Sequence, residues 1–542
     1  MLSGREGISD DIFAFTRSYP EADERILVLA SRSYGPVEVD LSGIEEAKCG
    51  YALDLLKSAK EIPVNEDGSL GTVTMDPLSV KIICLLDEAP EKVDLGRKAG
   101  VICHISTLGR GVLGTPAKKF ADYIASAGMK VWQVLPLNPT GLGGSPYSSY
   151  AAFAGYPEMI NRDELPDHSG YEQFCKDNKD WLTGYIAFTV LKEINGGKAW
   201  YEWPDEHKFG DPDKMIEELS AEYGARIEEL AKDQYYFFVQ WNDLREYANS
   251  LGIEMMGDLP MYMASDSADV WAAKGEFGLD EDGRKKVHSG VPPDAFSKDG
   301  QDWGNPLYNW DVMKDEGYSW WMRRLKQCAE RFDILRIAHF RGFSEYYAIP
   351  EGATPKEGSW QHSAGLEFFK AVKKMLKEEG LGMKLLAEDL GFLDDGVLSL
   401  LKLTGLPGMD IWQFTADEML AMDPEKAAHR AFYTGTHDNN TLMGFLLGDE
   451  EDTDSVSDEK RTEAEIEALN IIRQIYESPA ALAMVQLQDM FMLGSETRIN
   501  VPGVAEGNWS WRTPADSVEE SFEDTAERAA WFRELAEKTG RI

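Results

Sequence analysis

Ile334-Leu335-Arg336-Ile337-Ala338-His339-Phe340-Arg341 is a short apolar run that breaks into charged residues at its C-terminal end. The same shape recurs in Met256-Gly257-Asp258-Leu259-Pro260, in Leu386-Ala387-Glu388-Asp389-Leu390-Gly391 and in Tyr433-Thr434-Gly435-Thr436-His437-Asp438-Asn439-Asn440-Thr441. A parallel strand covered on both faces is apolar along its whole length, and in a barrel of such strands the chemistry gathers at their C-terminal ends. Strands are expected at 101–105, 130–136, 253–259, 334–337, 384–387 and 409–414, the first followed by an amphipathic helix over about 116–127. The repeated strand-helix units from residue 96 onward predict an α/β fold, a (β/α)8 barrel, with large helical insertions at about 160–250 and 445–485.

Upstream of this the pattern changes. Ile12-Phe13-Ala14-Phe15, Arg25 to Leu29, Val37 to Leu41 and Ser79 to Leu86 alternate with period two between turn signals such as Gly35-Pro36 and Asn65-Glu66-Asp67-Gly68. Short alternating strands with turns and little helical periodicity predict a small all-β sandwich. The domain reading is thus a sandwich at 1–90, a linker at Asp87-Glu88-Ala89-Pro90, and the barrel at 96–542. The run Asp449-Glu450-Glu451-Asp452-Thr453-Asp454 is expected to be a solvated loop.

With 55 basic against 95 acidic residues the net charge is −40, which repels phosphate backbones and anionic lipid heads. Nucleic acid and membranes are therefore not expected as partners. A neutral ligand meets no such barrier, and 15 Trp, 21 Tyr and 23 Phe supply flat faces for stacking as well as core. Cys49, Cys84, Cys103, Cys175 and Cys328 are odd in number, far apart and without a CxxC pair, so they are expected to be reduced and structural. The opening MLSGREGISDD has no basic-then-apolar secretory pattern, and the expected location is cytoplasmic.

Gly109-Arg110-Gly111-Val112-Leu113-Gly114 fits GxGxxG between a strand and a helix. The next strand ends in Leu135-Pro136-Leu137-Asn138, without the acidic residue that would hold a ribose, so nucleotide binding is not expected. P-loop and HExxH motifs are absent from the sequence. One carboxylate after an apolar strand is commonly a helix cap. Three such ends, with Arg336 and His437 beside them, fit glycoside chemistry, which places two carboxyl groups astride the scissile bond.

The chain from about 98 to 512 closely resembles the 4-α-glucanotransferases called amylomaltases or disproportionating enzymes, glycoside hydrolase family 77. The motifs that carry the resemblance are Trp132-Gln133-Val134-Leu135-Pro136-Leu137, Ser145-Pro146-Tyr147-Ser148-Ser149-Tyr150, Gly290-Val291-Pro292-Pro293-Asp294 and Gly300-Gln301-Asp302-Trp303-Gly304-Asn305-Pro306. To these add Ala387-Glu388-Asp389-Leu390-Gly391, Gly435-Thr436-His437-Asp438, and Leu487-Gln488-Asp489 through Arg498-Ile499-Asn500. The resemblance implies retaining transfer of α-1,4-glucan segments between maltooligosaccharides, starch or glycogen-type chains, without metal or organic cofactor. It makes Glu388 the general acid/base and Asp438 the carboxylate that stabilises the transition state. It assigns Tyr147, Asp258, Arg336, His437, Gln301, Trp303 and Asn305 to substrate binding, with a mobile loop over 292–303 whose stacking aromatic is replaced by Ala295.

The family motif Arg-Ile-Asp-His-Phe-Arg-Gly runs here Arg336-Ile337-Ala338-His339-Phe340-Arg341-Gly342, so Ala338 stands where the resemblance implies the nucleophile. Its neighbours are all in place, and a deliberate Asp-to-Ala change that traps bound glucan is expected, with a natural glucan-binding pseudoenzyme or scaffolding module as the alternative. A second resemblance, of Asp11-Ile12-Phe13-Ala14-Phe15-Thr16-Arg17 and Ile26-Leu27-Val28-Leu29 to the C-terminal sandwich of α-amylase-family enzymes, implies a family 13 barrel upstream in the natural polypeptide.

Overall fold

A computed structural model describes residues 1–18, 24–293, 298–391, 393–448, 456–504 and 506–542. The acidic run 449–454 and Ala295 lie outside the described residues. Contacts divide the chain into two units, one of Met1–Val93 with Phe343–Glu345 and Asp389–Leu406, the other of Asp94–Gly342, Tyr346–Glu388 and Pro407–Ile542.

The first unit is a β-sandwich. Strands β1 (Ile12–Ser18), β2 (Glu24–Ser31), β3 (Val37–Asp40), β4 (Tyr51–Asp54), β5 (Lys60–Ile62), β6 (Thr72–Met75) and β7 (Val80–Leu86) form one antiparallel sheet in the order β1-β2-β7-β4-β5 and the pair β3-β6. Alternate residues point inward, so Ile12, Ala14, Leu27, Leu29, Ile83 and Leu85 bury against Val39, Val73 and Met75. The helix Asp395–Thr404 joins this unit rather than the barrel: Leu398 and Leu403 pack on Leu53, Ala59 and Cys84, and Ser58 N donates to Asp395 Oδ1 at 2.6 Å.

In the second unit, β8 (Lys98–Ile102), β9 (Val131–Gln133) and β10 (Glu254–Leu259) are parallel neighbours. The hairpin β11 (Val287–Val291) and β12 (Gln301–Pro306) follows, then β13 (Ile334–Ile337), β14 (Glu345–Pro350), β15 (Ser359–His362) and β16 (Lys384–Ala387), and β17 (Gly408–Ile411), β18 (Arg430–Tyr433) and β19 (Leu482–Gln486) complete the set. Eight of these are parallel in the order β16-β13-β10-β9-β8-β19-β18-β17, and Ala387 N donates to Pro407 O at 2.9 Å across the remaining seam. This is the expected (β/α)8 barrel. Gly100 shows how tightly its inside is filled, since a Cβ there would stand 2.6 Å from Met484 Sδ and 2.7 Å from Val131 O.

Several boundaries differ from the sequence reading. The strand expected at 409–414 ends at Ile411, and Trp412–Ala421 is helical. The stretch 445–485, read as a helical insertion, contains the helix Asp458–Glu477 but also most of β19, whose Leu, Ala, Met and Gln are good helix formers yet which is fully buried between β8 and β18. The antiparallel sheet β12-β11-β14-β15 was not foreseen. The insertion at 160–250 holds the helices Lys179–Ile194 and Pro212–Ser250 packed against each other, the second capped by Asp211, whose Oδ1 accepts from Lys214 N at 3.1 Å. Among the described residues no helix is long and apolar enough to cross a membrane.

The glycine-rich loop at 109–114 is occupied by the chain itself. Gly109 N donates to Thr513 Oγ1 at 2.7 Å and Arg110 N to Asp516 Oδ1 at 2.9 Å, which uses the backbone donors a phosphate would need.

Candidate active site

The polar strand ends meet at the C-terminal rim of the barrel. In β10 and β13, Asp258 and Arg336 are register partners, and Arg336 Nη1 donates to Asp258 Oδ2 at 2.7 Å and Oδ1 at 2.9 Å. Its Nη2 lies 3.1 Å from Glu388 Oε2. The Arg336 side chain is 3 % exposed and that of Asp258 0 %, so desolvation opposes both charges and the pair persists because each hydrogen-bonds the other. Burial acts to lower the Arg336 pKa, but Asp258 and Glu388 outweigh it and hold the guanidinium well above its ordinary value.

Glu388 follows β16. Ile337 and Ala387 are paired, so Ala338 and Glu388 stand side by side one step further along neighbouring strands. Period-two alternation puts Ala338 on the same side of β13 as Arg336. Glu388 Oε2 also accepts from the His339 backbone N–H at 2.7 Å, while Oε1 has no hydrogen-bond partner among the described residues. His339 adopts φ +52°, which turns its N–H to this carboxylate and its ring toward Trp303, edge-on at 4.9 Å.

Opposite, the loop 434–441 after β18 carries His437 and Asp438. Tyr147 stacks on His437 with centroids 4.8 Å apart, and its OH donates to Asp258 Oδ2 at 2.8 Å. Burial and the Asp258 charge push the Tyr147 phenol well up, keeping it a neutral donor. Asp438 Oδ2 lies 3.3 Å from His437 Nε2, and Oδ1 accepts from Asn500 Nδ2 at 2.6 Å. Burial acts to raise the Asp438 pKa, but His437, Asn500 and Arg336 outweigh it and hold the carboxyl well below the usual range.

The structure thus brings together Tyr147, Asp258, Arg336, Ala338, Glu388, His437 and Asp438. The three residues taken from β12 divide. Trp303 is 37 % exposed and reaches His339, whereas Asn305 spends its amide on Met263 O (3.0 Å) and Ser289 Oγ (3.2 Å), and Gln301 Oε1 accepts from Trp303 Nε1 at 3.1 Å. Sequence reasoning assigned no role to Asn500 or to Trp509, whose ring lies 5.7 Å from His437. Asn500 closes one of the motifs that carry the resemblance, which was its signal, whereas Trp509, far along the chain from 438, has none. Among the described residues no group of three His, Cys, Asp or Glu side chains is placed to hold a metal.

Two buried imidazoles give the barrel unit a pH dependence. Burial lowers His339 to about 4, with Glu388 opposing and Arg341 assisting, and lowers His104, with help from His437 and Arg512, to about 3. Unfolded, both take up a proton near pH 6.5, so stability present above that pH is lost as it falls toward 4. Asp489, pushed by burial to about 6, acts in the opposite sense between about 3.8 and 6. Asp269 and Glu276, which burial also raises, add to that opposition, so the balance is at most about one proton over most of this range, or about 1.4 kcal/mol per pH unit. The thermal midpoint is expected to fall steadily from pH 6.5 to 4, and His104→Asn, which keeps an acceptor for Leu135 N–H, to flatten the slope; a level midpoint contradicts this.

The sequence profile of the 4-α-glucanotransferases, glycoside hydrolase family 77, matches residues 103–170 and 161–517. The 4-α-glucanotransferase of Streptococcus pneumoniae is 34 % identical over 487 residues, covering 79 % of this chain and 95 % of that protein. The Thermus thermophilus enzyme is 35 % identical over 518 residues, covering 83 % and 100 %. The amylomaltase of Streptococcus agalactiae, solved in complex with acarbose, superposes with a TM-score of 0.69 at 30 % identity, covering 82 % of this chain and 99 % of that one. With the barrel, the rim carboxylates and these relatives in agreement, the chain belongs to the 4-α-glucanotransferase family.

Proposed function

We propose that this protein binds maltooligosaccharides and starch- or glycogen-type α-glucans at the barrel rim around Arg336, Glu388 and Asp438, as a 4-α-glucanotransferase whose transfer chemistry stops at residue 338. The observation that carries this is the alanine at 338 amid a complete hydrogen-bonded array: Asp258 and Tyr147 brace Arg336, Arg336 and the His339 N–H brace Glu388, and His437 and Asn500 brace Asp438. Retaining chemistry uses one carboxyl group to protonate the leaving oxygen and a second to attack the anomeric carbon. Glu388 supplies the first, and Asp438, kept ionised, faces the positive charge that develops on the sugar. The second has no counterpart at 338, so the first covalent step is missing while the sugar contacts remain. That combination favours a deliberate Asp-to-Ala change; an alanine codon at 338 in the parent gene would instead make the chain a natural glucan-binding pseudoenzyme.

Calorimetry with maltoheptaose tests the reading. Binding is expected at roughly micromolar to millimolar affinity, about −4 to −8 kcal/mol, without turnover. Absence of binding would remove the proposal.

A further inference from the structure

Of the sequence motif running from Leu487-Gln488-Asp489 to Arg498-Ile499-Asn500 only Asn500 has entered so far, yet the whole motif grips the loop 434–441 along its length. Asp489, fully buried, holds both ends: Thr434 Oγ1 donates to its Oδ2 at 2.6 Å and Leu442 N to its Oδ1 at 2.7 Å. Asn440 Nδ2 donates to Ser495 Oγ at 2.9 Å. At the centre, Arg498 Nη2 donates to the Asp438 carbonyl at 2.7 Å and Asn500 Nδ2 to Asp438 Oδ1 at 2.6 Å. An ionised carboxylate only accepts, so the Asn500 atom facing it is the NH2.

We infer that Asn500 is a positioning residue for Asp438: its N–H locks Oδ1 and thereby selects Oδ2, the oxygen beside His437 Nε2, as the one presented to the sugar. The assignment rests on the glucan-binding reading of the barrel rim. Without the lock the carboxylate keeps only the longer His437 contact, 3.3 Å at Oδ2, among the described residues, while Arg498 holds the Asp438 backbone carbonyl, so the group is freer to turn about its Cβ–Cγ bond. The charged and titratable groups facing Asp438 are His437 on its own loop, Arg336 from β13, Tyr147 and Arg498.

Asn500→Asp separates positioning from simple loop support, because a second carboxyl at 2.6 Å from the first shares a proton with it. While that proton is present the new carboxyl donates to Oδ1 as the amide does; once it leaves, two anions repel and Asp438 is displaced. Maltoheptaose affinity of the present chain, Asn500→Ala and Asn500→Asp is measured by calorimetry between pH 5 and 8, with thermal midpoints alongside, each variant read as its ratio to the present chain at the same pH. Asn500→Ala is expected to bind about tenfold more weakly throughout, and Asn500→Asp within about threefold of the present chain at pH 5 but tenfold or more weaker at pH 8. A ratio for Asn500→Asp that does not change with pH, or an Asn500→Ala affinity equal to that of the present chain, would overturn the inference even though glucan binds. Loss of binding in the present chain itself would instead overturn the glucan reading, and this inference with it.

Discussion

Ala338→Asp is expected to turn the chain into an active disproportionating enzyme that converts maltotriose into glucose and longer maltooligosaccharides, at least about 10³-fold faster than the present sequence, or about 4 kcal/mol in barrier. The geometry is prepared for that carboxylate. Residues 338 and 388 leave neighbouring parallel strands one step past the Ile337–Ala387 pair. Such strands lie roughly 5 Å apart, the carboxyl separation that retaining glycosidases use. Arg336, two residues earlier and on the same side of β13, supplies positive charge to keep the introduced group ionised. Transfer is expected to exceed hydrolysis, and the measurement is the distribution of glucose and longer products over time. A revertant as inert as the present chain would show that 338 is not the attacking position.

In the Ala338→Asp background, Glu388→Gln is expected to lower transfer from maltotriose by about 10²- to 10⁴-fold, the span of general acid catalysis. Glutamine keeps the acceptor for the His339 N–H and for Arg336, so the array around it persists, but it has no proton to give the leaving sugar oxygen. Fluoride leaves without a proton. The first step on α-maltotriosyl fluoride is therefore expected to survive in the same variant. Equal loss on both donors would make Glu388 a structural residue.

How far the sequence could be followed depends on which interactions are local. The barrel was legible because each polar strand end sits directly on its apolar strand, as at Asp258, Arg336 and Glu388, and the sandwich because Ile12, Ala14, Leu27 and Leu29 alternate with period two. Family motifs then named Tyr147, His437 and Asp438, and they exposed the alanine at 338. What stayed hidden was tertiary. The helix Asp395–Thr404 follows a barrel strand in sequence, and only the apolar contacts of Leu398 and Leu403 assign it to the first unit. β19 has the composition of a helix and becomes a strand because β8 and β18 flank it on both edges. Asn305 lies inside a binding motif yet hydrogen-bonds its own backbone surroundings, while Asn500, 62 residues from Asp438, reaches its carboxylate.

Intact-protein mass spectrometry decides whether residue 338 is the place of the nucleophile. In the Ala338→Asp/Glu388→Gln double variant, α-maltotriosyl fluoride can lose fluoride to the new carboxylate and form a glycosyl ester, and with no base at 388 to activate an acceptor the ester accumulates. A mass increase of one maltotriosyl unit is expected, mapped by peptide analysis to the carboxylate introduced at 338, with no such increase in the chain as it stands. The absence of an adduct in the double variant, or a sugar carried by any other residue, would contradict the assignment of 338.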